Sequence, residues 1–427
     1  MAMATLRFIG RKIVLGKQGP GLAAASTLRR ALATTVGSVD KQKRLLTVRW
    51  SDKSRRDSLL PLAWLRDNCQ CSACFHPDTL SRLQLMENFD PKIGADSVQF
   101  DDASKTCSVT WSDGHVSTYK YDWLMRRSFD SESQQQRSLW YSGKHELWGS
   151  DYAIRRHPFD QLMKSDSSLL QFLNDMEAFG LTVVEGAPIA GTEGLRAVTD
   201  LCNRVAFPME TNYGTTFTVK SKLNPSNLAY TPARLGLHVD LPFYKDPPGI
   251  QLLHCLAQSN NITGGENFFS DGFHAANLLK VANSDAYKML TTRLVDFYDY
   301  ETDHLADFHM LCRQRVISLT SDGEYEMICY NNQVRDTYLN MPADQVQLFY
   351  DALKAFDTLL HGEQCSVSTK LKEGDIVTFD NRRVLHGRNS YTVHGTAERH
   401  LEGAYLRWDE VYSRIRRLEE SVRSRQP

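Results

Sequence analysis

The stretch RLGLHVDLPFY, residues 234–244, sets a histidine and an aspartate one residue apart in an apolar, strand-like run. Residues i and i+2 of a strand point to the same side, so His238 and Asp240 can reach one ion together. Three other triplets share this spacing: His76 with Asp78, His361 with Glu363, and His400 with Glu402. The third donor separates them. A non-haem Fe(II) oxygenase site needs two imidazoles and one carboxylate on one face of the metal, with the opposite positions open. Far downstream, GDIVTFDNRRVLHGR carries His386 at the end of a second strand-like segment. No histidine follows His400, His361 lies in a polar HGEQ turn, and His76 precedes a proline beside a cysteine cluster. The coherent iron set is therefore His238, Asp240 and His386, which requires a fold that brings two distant strands together.

Arg399, in AERHLEGAYLRW, follows this set. Its guanidinium can grip a carboxylate with two parallel hydrogen bonds, which suits the far end of a dicarboxylate cosubstrate such as 2-oxoglutarate. Arg388, in HGR, is a rival that spacing alone does not eliminate. A second constellation is DNCQCSAC, with Cys69, Cys71 and Cys74, together with His115 in the turn WSDGH. Three thiolates and one imidazole complete a closed tetrahedral Zn(II) shell, which holds a fold and leaves no position for catalysis. His76 is the alternative fourth ligand.

Around these motifs the chain divides. Residues 1–39 hold six Lys/Arg and no Asp or Glu, with many Ala, Ser and Thr. That is transit-peptide chemistry, and it predicts a mitochondrial (matrix) protein, with a cytoplasmic location as the alternative. Residues 41–127 read as a small β-rich zinc-binding domain, because RLLTVRW and CSVTWSDGHVSTYKYDWL alternate apolar and polar residues around a Ser-Asp-Gly turn. The polar run SFDSESQQQRSL predicts a linker over 128–149. From 150 to 427, helical stretches such as SSLLQFLNDMEAFG alternate with the short β-runs LTVVEG, GIQLLHCL, GDIVTFD and HLEGAYLRW, which suggests a sandwich or barrel. Val411, Ile415, Leu418 and Val422 recur at helical spacing, as a stripe that packs on the body or on a second subunit. A net charge of −1 excludes any global field for nucleic acid or an anionic membrane, and no apolar run is long enough to span a bilayer. Nine cysteines scattered over 427 residues argue against a disulfide framework.

The segments LPLAWLRDNCQCSAC, VTWSDGHVSTYKYDWL, LHVDLPFYKDPPGIQLLHCL, IVTFDNRRVLHGR and RHLEGAYLRWDEVYSRIRRL resemble the γ-butyrobetaine dioxygenase family of Fe(II)/2-oxoglutarate oxygenases, which includes trimethyllysine dioxygenase. The resemblance runs from about residue 45 to residue 420. It implies a mixed β fold with α elements: a small zinc-bearing domain, then a double-stranded β-helix (jelly roll), assembled as a homodimer. It implies C3 hydroxylation of γ-butyrobetaine to L-carnitine, the last step of carnitine biosynthesis, with Fe(II), 2-oxoglutarate and O2, and ascorbate as reductant. It also selects Arg399 over Arg388 as the 2-oxoglutarate anchor. Trimethyllysine 3-hydroxylation is the alternative within the family, and a non-catalytic betaine-binding or zinc-module protein is the alternative outside it. The family's substrates carry a trimethylammonium group, which aromatic faces hold by cation–π attraction. The matching positions are Tyr213, Phe217, Tyr230 and Tyr405, while Asn227 and Asn331 match positions that bind the substrate carboxylate. Phe217 stands where the family has tryptophan, a stronger cation–π partner. Arg382 stands where DNWR is usual.

Overall fold

The structure is a computed structural model that describes residues 34–424 apart from 53, 139–142, 221–230, 302–306 and 395–397. The basic leader up to residue 33, Asn227 and Tyr230 lie outside the described residues. The chain forms two compact units, Met1–Ser142 and Gly143–Pro427.

In the smaller unit, period-two alternation produces two antiparallel three-stranded sheets. One contains Val36–Asp40, Leu45–Arg49 and Ser58–Pro61, the other Ala95–Asp101, Thr106–Trp111 and Val116–Lys120. Leu46, Val48, Cys107, Val109 and Trp111 are fully buried and share one core with Leu65, Tyr119 and Leu124. Gly114, at φ 81°, closes the hairpin that carries His115, in a backbone region that favours glycine. Two boundaries differ from expectation. The first strand starts at Val36, inside the basic stretch. The polar run expected as a linker is helical over Ser131–Ser138, because the Asp130 carboxylate accepts hydrogen bonds from the Ser133 amide (2.9 Å) and hydroxyl (2.7 Å). None of its residues is buried, so capping rather than packing specifies it. The end of the expected linker belongs to the larger unit: Trp148 is buried there and its indole N–H donates to the Phe179 carbonyl at 2.6 Å.

The larger unit holds a six-stranded sheet in the order Phe217–Lys220, Arg399–Leu406, Ile250–Gln258, Ile376–Asp380, Leu181–Glu185, Arg155–Pro158. Only the last pair is parallel. A four-stranded antiparallel sheet runs Leu235–His238, Val384–Arg388, Asn267–Asp271, Ser366–Thr369. Leu181, Val183, Leu253, Val377 and Phe379 of the first sheet share a core with Phe269, Val367 and Val384 of the second. The two sheets therefore pack face to face, each strand alternating between this core and its outer side. Helices Asp166–Phe179, Gly191–Val205 and Trp408–Ser424 cover the outer side of the larger sheet. The C-terminal stripe packs on this unit itself: Val411, Ile415 and Leu418 are buried, and Val422 is partly so.

Candidate active site and a cysteine cluster

His238 ends its strand and His386 lies mid-strand, and the two are direct antiparallel partners with ring centroids 4.1 Å apart. Asp240 follows two residues after His238, its Oδ1 lying 3.3 Å from His238 Nε2 and 3.8 Å from His386 Nε2. One donor atom from each of the three lies within 4.8 Å of the others. Gly387 makes the pairing possible, since a Cβ there would approach the Leu235 carbonyl oxygen to 2.8 Å.

Surrounding groups hold these donors in one state. The Nδ1 of His238 lies 2.9 Å from the Gly236 carbonyl, an acceptor only, so Nδ1 carries the proton and Nε2 keeps its lone pair. Burial, reinforced by the neighbouring His238, pushes the His386 imidazole down to about 3, which keeps it neutral and ligand-competent. For Asp240, burial opposes ionisation, but the hydrogen bond and positive charge that the two imidazoles offer when protonated, with the Tyr405 hydroxyl, outweigh it and hold the carboxyl well below its ordinary value. Tyr405 donates to Asp240 Oδ2 at 2.8 Å, which leaves Oδ1 directed at the histidines. Asn381 clamps the same residue through its backbone, accepting from Asp240 N at 2.7 Å and donating to Asp240 O at 2.9 Å. The next residue, Leu241, is held at φ 55°, a conformation that costs a non-glycine residue on the order of 1 kcal/mol. Two imidazoles and a carboxylate, neutral and ionised as described, fit a divalent iron bound on one face.

The triad borders a cavity of ≈ 120 Å³ lined also by Tyr213, Phe217, Asn331, Arg388, Arg399 and Tyr405. Arg399 is nine-tenths buried, and its Nε has no hydrogen-bond partner among the described residues. Burial lowers its pKa, as expected for a cation short of counter-charge. Arg388, the rival, donates to the Thr231 and Ala233 carbonyls, both at 2.6 Å. Phe217 stacks on Tyr405 at 5.0 Å and lies 6.1 Å from Tyr213. It lies flat across Gly403, where a Cβ would come within 2.2 Å of its ring. Asn331 is partly committed: its Nδ2 donates to the Val239 carbonyl at 3.0 Å, and its Oδ1 accepts from Gln333 N at 2.9 Å. Arg382 donates to the Pro247 carbonyl at 3.1 Å and pairs with Asp246. It thus pins the loop after Asp240.

In the smaller unit, His115 Nε2 lies 3.2, 3.6 and 3.7 Å from the sulfurs of Cys69, Cys71 and Cys74, and all four donors lie within 4.8 Å of one another. His76 is elsewhere, its Nδ1 accepting from Thr79 N at 3.3 Å on the surface. The Asp113 carboxylate accepts from His115 N at 2.9 Å and pairs with Arg66, whose guanidinium also reaches Cys74 Sγ at 3.4 Å. Three sulfurs and one ring nitrogen, with a cation beside them, fit a tetrahedral zinc ion. Sequence reading missed the orienting roles of Tyr405 and Asn381. Both lie inside the quoted motifs, but nothing in their spacing indicates a bond to Asp240.

Comparison with known proteins agrees with the geometry. The model of the taurine catabolism dioxygenase TauD, TfdA family matches residues 143–405, and that of the γ-butyrobetaine hydroxylase-like N-terminal region matches residues 38–125. The larger unit is thus a 2-oxoglutarate-dependent dioxygenase. Human γ-butyrobetaine dioxygenase is 37% identical over 380 residues, covering 88% of this chain and 95% of its own. The Pseudomonas sp. (strain AK-1) γ-butyrobetaine dioxygenase is 34% identical over 370 residues, covering 87% and 92%. Rat mitochondrial trimethyllysine dioxygenase is 30% identical over 359 residues, covering 83% and 82%. The chain belongs to the γ-butyrobetaine dioxygenase family.

Proposed function

We propose that this protein hydroxylates γ-butyrobetaine at C3, converting γ-butyrobetaine, 2-oxoglutarate and O2 to L-carnitine, succinate and CO2. The observation that carries the reading is the buried guanidinium of Arg399, its Nε without a hydrogen-bond partner among the described residues, in the same cavity as the His238–Asp240–His386 triad and an aromatic wall. His238, Asp240 and His386 would hold Fe(II), which supplies O2 activation coupled to oxidative decarboxylation of the cosubstrate. Arg399 receives the distal carboxylate of 2-oxoglutarate as a charge-assisted pair, and Tyr405 keeps Asp240 ionised and oriented. Tyr213, Phe217 and Tyr405 present ring faces to the trimethylammonium group, which cannot donate a hydrogen bond. The remaining Nδ2 hydrogen of Asn331 is available for the substrate carboxylate. With the two ends of the substrate held, the C3–H bond rather than a neighbour meets the oxidant. No side chain acts as a general acid or base.

The two facing sheets read as a double-stranded β-helix, and the cysteine cluster as a structural Zn(II) site. Mitochondrial import, a homodimer and ascorbate dependence belong to the same reading. Trimethyllysine is the second candidate substrate, supported by the 30% identical relative and by the basic leader. The test incubates protein lacking residues 1–33 with Fe(II), 2-oxoglutarate and O2, and follows γ-butyrobetaine and trimethyllysine by mass spectrometry. Carnitine with stoichiometric succinate is expected. Hydroxylation of trimethyllysine alone would overturn the assignment.

A further inference from the structure

The cavity has one lining group that the reading above does not use. Asp299, on the strand Leu294–Glu301, presents a half-buried carboxylate to the same cavity as Tyr213 and Phe217. Its position is built. Tyr244 accepts a hydrogen bond from Asn212 N at 2.7 Å and donates to Asn212 Oδ1 at 3.2 Å, which fixes the amide. The Nδ2 of Asn212 then donates to Asp299 Oδ2 at 3.2 Å. Asn212 directly precedes Tyr213, so the carboxylate is tied to the residue beside an aromatic wall. No arginine, lysine or histidine pairs with Asp299 among the described residues; its neighbour Asp296 takes Arg313 instead. Burial raises the pKa of Asp299, the expected penalty for an anion without a counter-charge. The cationic lining residues, Arg388 and Arg399, are on other strands, one of them two residues from His386.

We propose that Asp299 is a specificity-determining residue that supplies a formal negative charge to the quaternary ammonium end of the substrate, complementing the aromatic faces. This rests on the betaine reading above. A carboxylate already half desolvated in the free protein loses less hydration than an exposed one when a cation arrives, so the attraction it offers is larger than at the surface. The charge also compensates for Phe217, whose ring is a weaker cation–π partner than tryptophan. The positive end of a zwitterion is drawn towards Asp299, which places the methyl groups at the aromatic wall.

The test compares two ligands of one shape by calorimetry on the full chain loaded with Fe(II) and 2-oxoglutarate in the absence of O2. The ligands are γ-butyrobetaine and its uncharged-head isostere 5,5-dimethylhexanoate. Asp299→Asn is expected to raise the dissociation constant of γ-butyrobetaine about tenfold, the size of one partly screened charge pair, while leaving those of the isostere and of 2-oxoglutarate in place. Asp299→Glu, which keeps the charge, should recover part of the loss. An equal loss for both ligands would make Asp299 a structural residue and overturn the proposal, as would unchanged γ-butyrobetaine binding. If wild-type protein instead binds trimethyllysine, with the same loss in Asp299→Asn, the role of Asp299 stands and the butyrobetaine assignment falls. Failure of the wild type to bind any quaternary ammonium overturns both.

Discussion

The two donor clusters of this chain are made in opposite ways. Three of the four donors in the cysteine cluster come from one short run, Cys69 to Cys74, and the fourth, His115, from a hairpin turn that Gly114 closes. The set is complete, with three sulfurs and one nitrogen and no position left over. His238, Asp240 and His386 come from strands far apart in sequence that pair in a sheet, and their three donors border a cavity. Three thiolates and an imidazole in a closed shell hold a fold, whereas two imidazoles and a carboxylate beside a cavity leave room for reactants. The difference also shows in the support. Asp240 is clamped by Tyr405, which donates to one carboxylate oxygen and leaves the other facing the histidines, and by Asn381, which holds its backbone.

The sharpest way to break this contrast is to remove one donor from each cluster. His238→Ala should lower turnover by roughly a thousandfold or more while leaving bound zinc unchanged. Cys71→Ala should lose zinc and, with it, stability on the order of several kcal/mol, because metal binding at a closed site is folding free energy. Metal analysis with thermal unfolding checks both, and loss of the same metal from both variants would end the distinction. Next in size is Arg399→Ala, which should raise the KM for 2-oxoglutarate by roughly 30- to 150-fold, the equivalent of about 2–3 kcal/mol for a charge-assisted bidentate pair. Arg399→Lys should fall between, since an ammonium keeps the charge but not the fork. Tyr405→Phe removes only the hydroxyl on Asp240, and a roughly tenfold weaker iron affinity, read by titration under anaerobic conditions, is expected.

A separate effect, on stability alone, concerns a histidine outside both clusters. His254 is fully buried, and burial pushes it down to about 4 in spite of a hydrogen bond to the Gly194 backbone. The unfolded chain binds this proton near pH 6.5 and the folded chain does not, so its contribution is present above 6.5 and is lost as pH falls towards 4. His254→Leu should flatten the stability profile across that window by on the order of 2 kcal/mol, with iron and zinc contents unchanged. Denaturant unfolding at several pH values measures it.

Strand alternation was legible wherever one face is buried: Leu46, Val48, Val109 and Trp111 lie where their period places them. The helical stripe of Val411, Ile415 and Leu418 was legible for the same reason, but periodicity does not name the surface it packs on. That surface is made chiefly by the helices Asp166–Phe179 and Gly191–Val205, which lie on the outer side of the six-stranded sheet. The helix at Ser131–Ser138 was not legible, because its signal is one aspartate cap on a polar run that otherwise reads as a linker. The buried Trp148 extends the larger unit past the expected boundary, since a single indole carries no periodic signal.

By itself the sequence determined which atoms can bind metals. The chemistry of cysteine, histidine and aspartate is intrinsic, and spacings of two or three residues are short enough for the local backbone to translate into geometry. Tertiary structure alone decided the rest. It separated His115 from His76, left the Nε of a buried Arg399 without a partner among the described residues while Arg388 was bound to backbone carbonyls, turned Tyr405 towards Asp240, and placed Asp299 in the same cavity as the aromatic residues. These outcomes depend on which strands become neighbours and which side chains lose water together. That is a property of the packed sheets, and no single segment contains it.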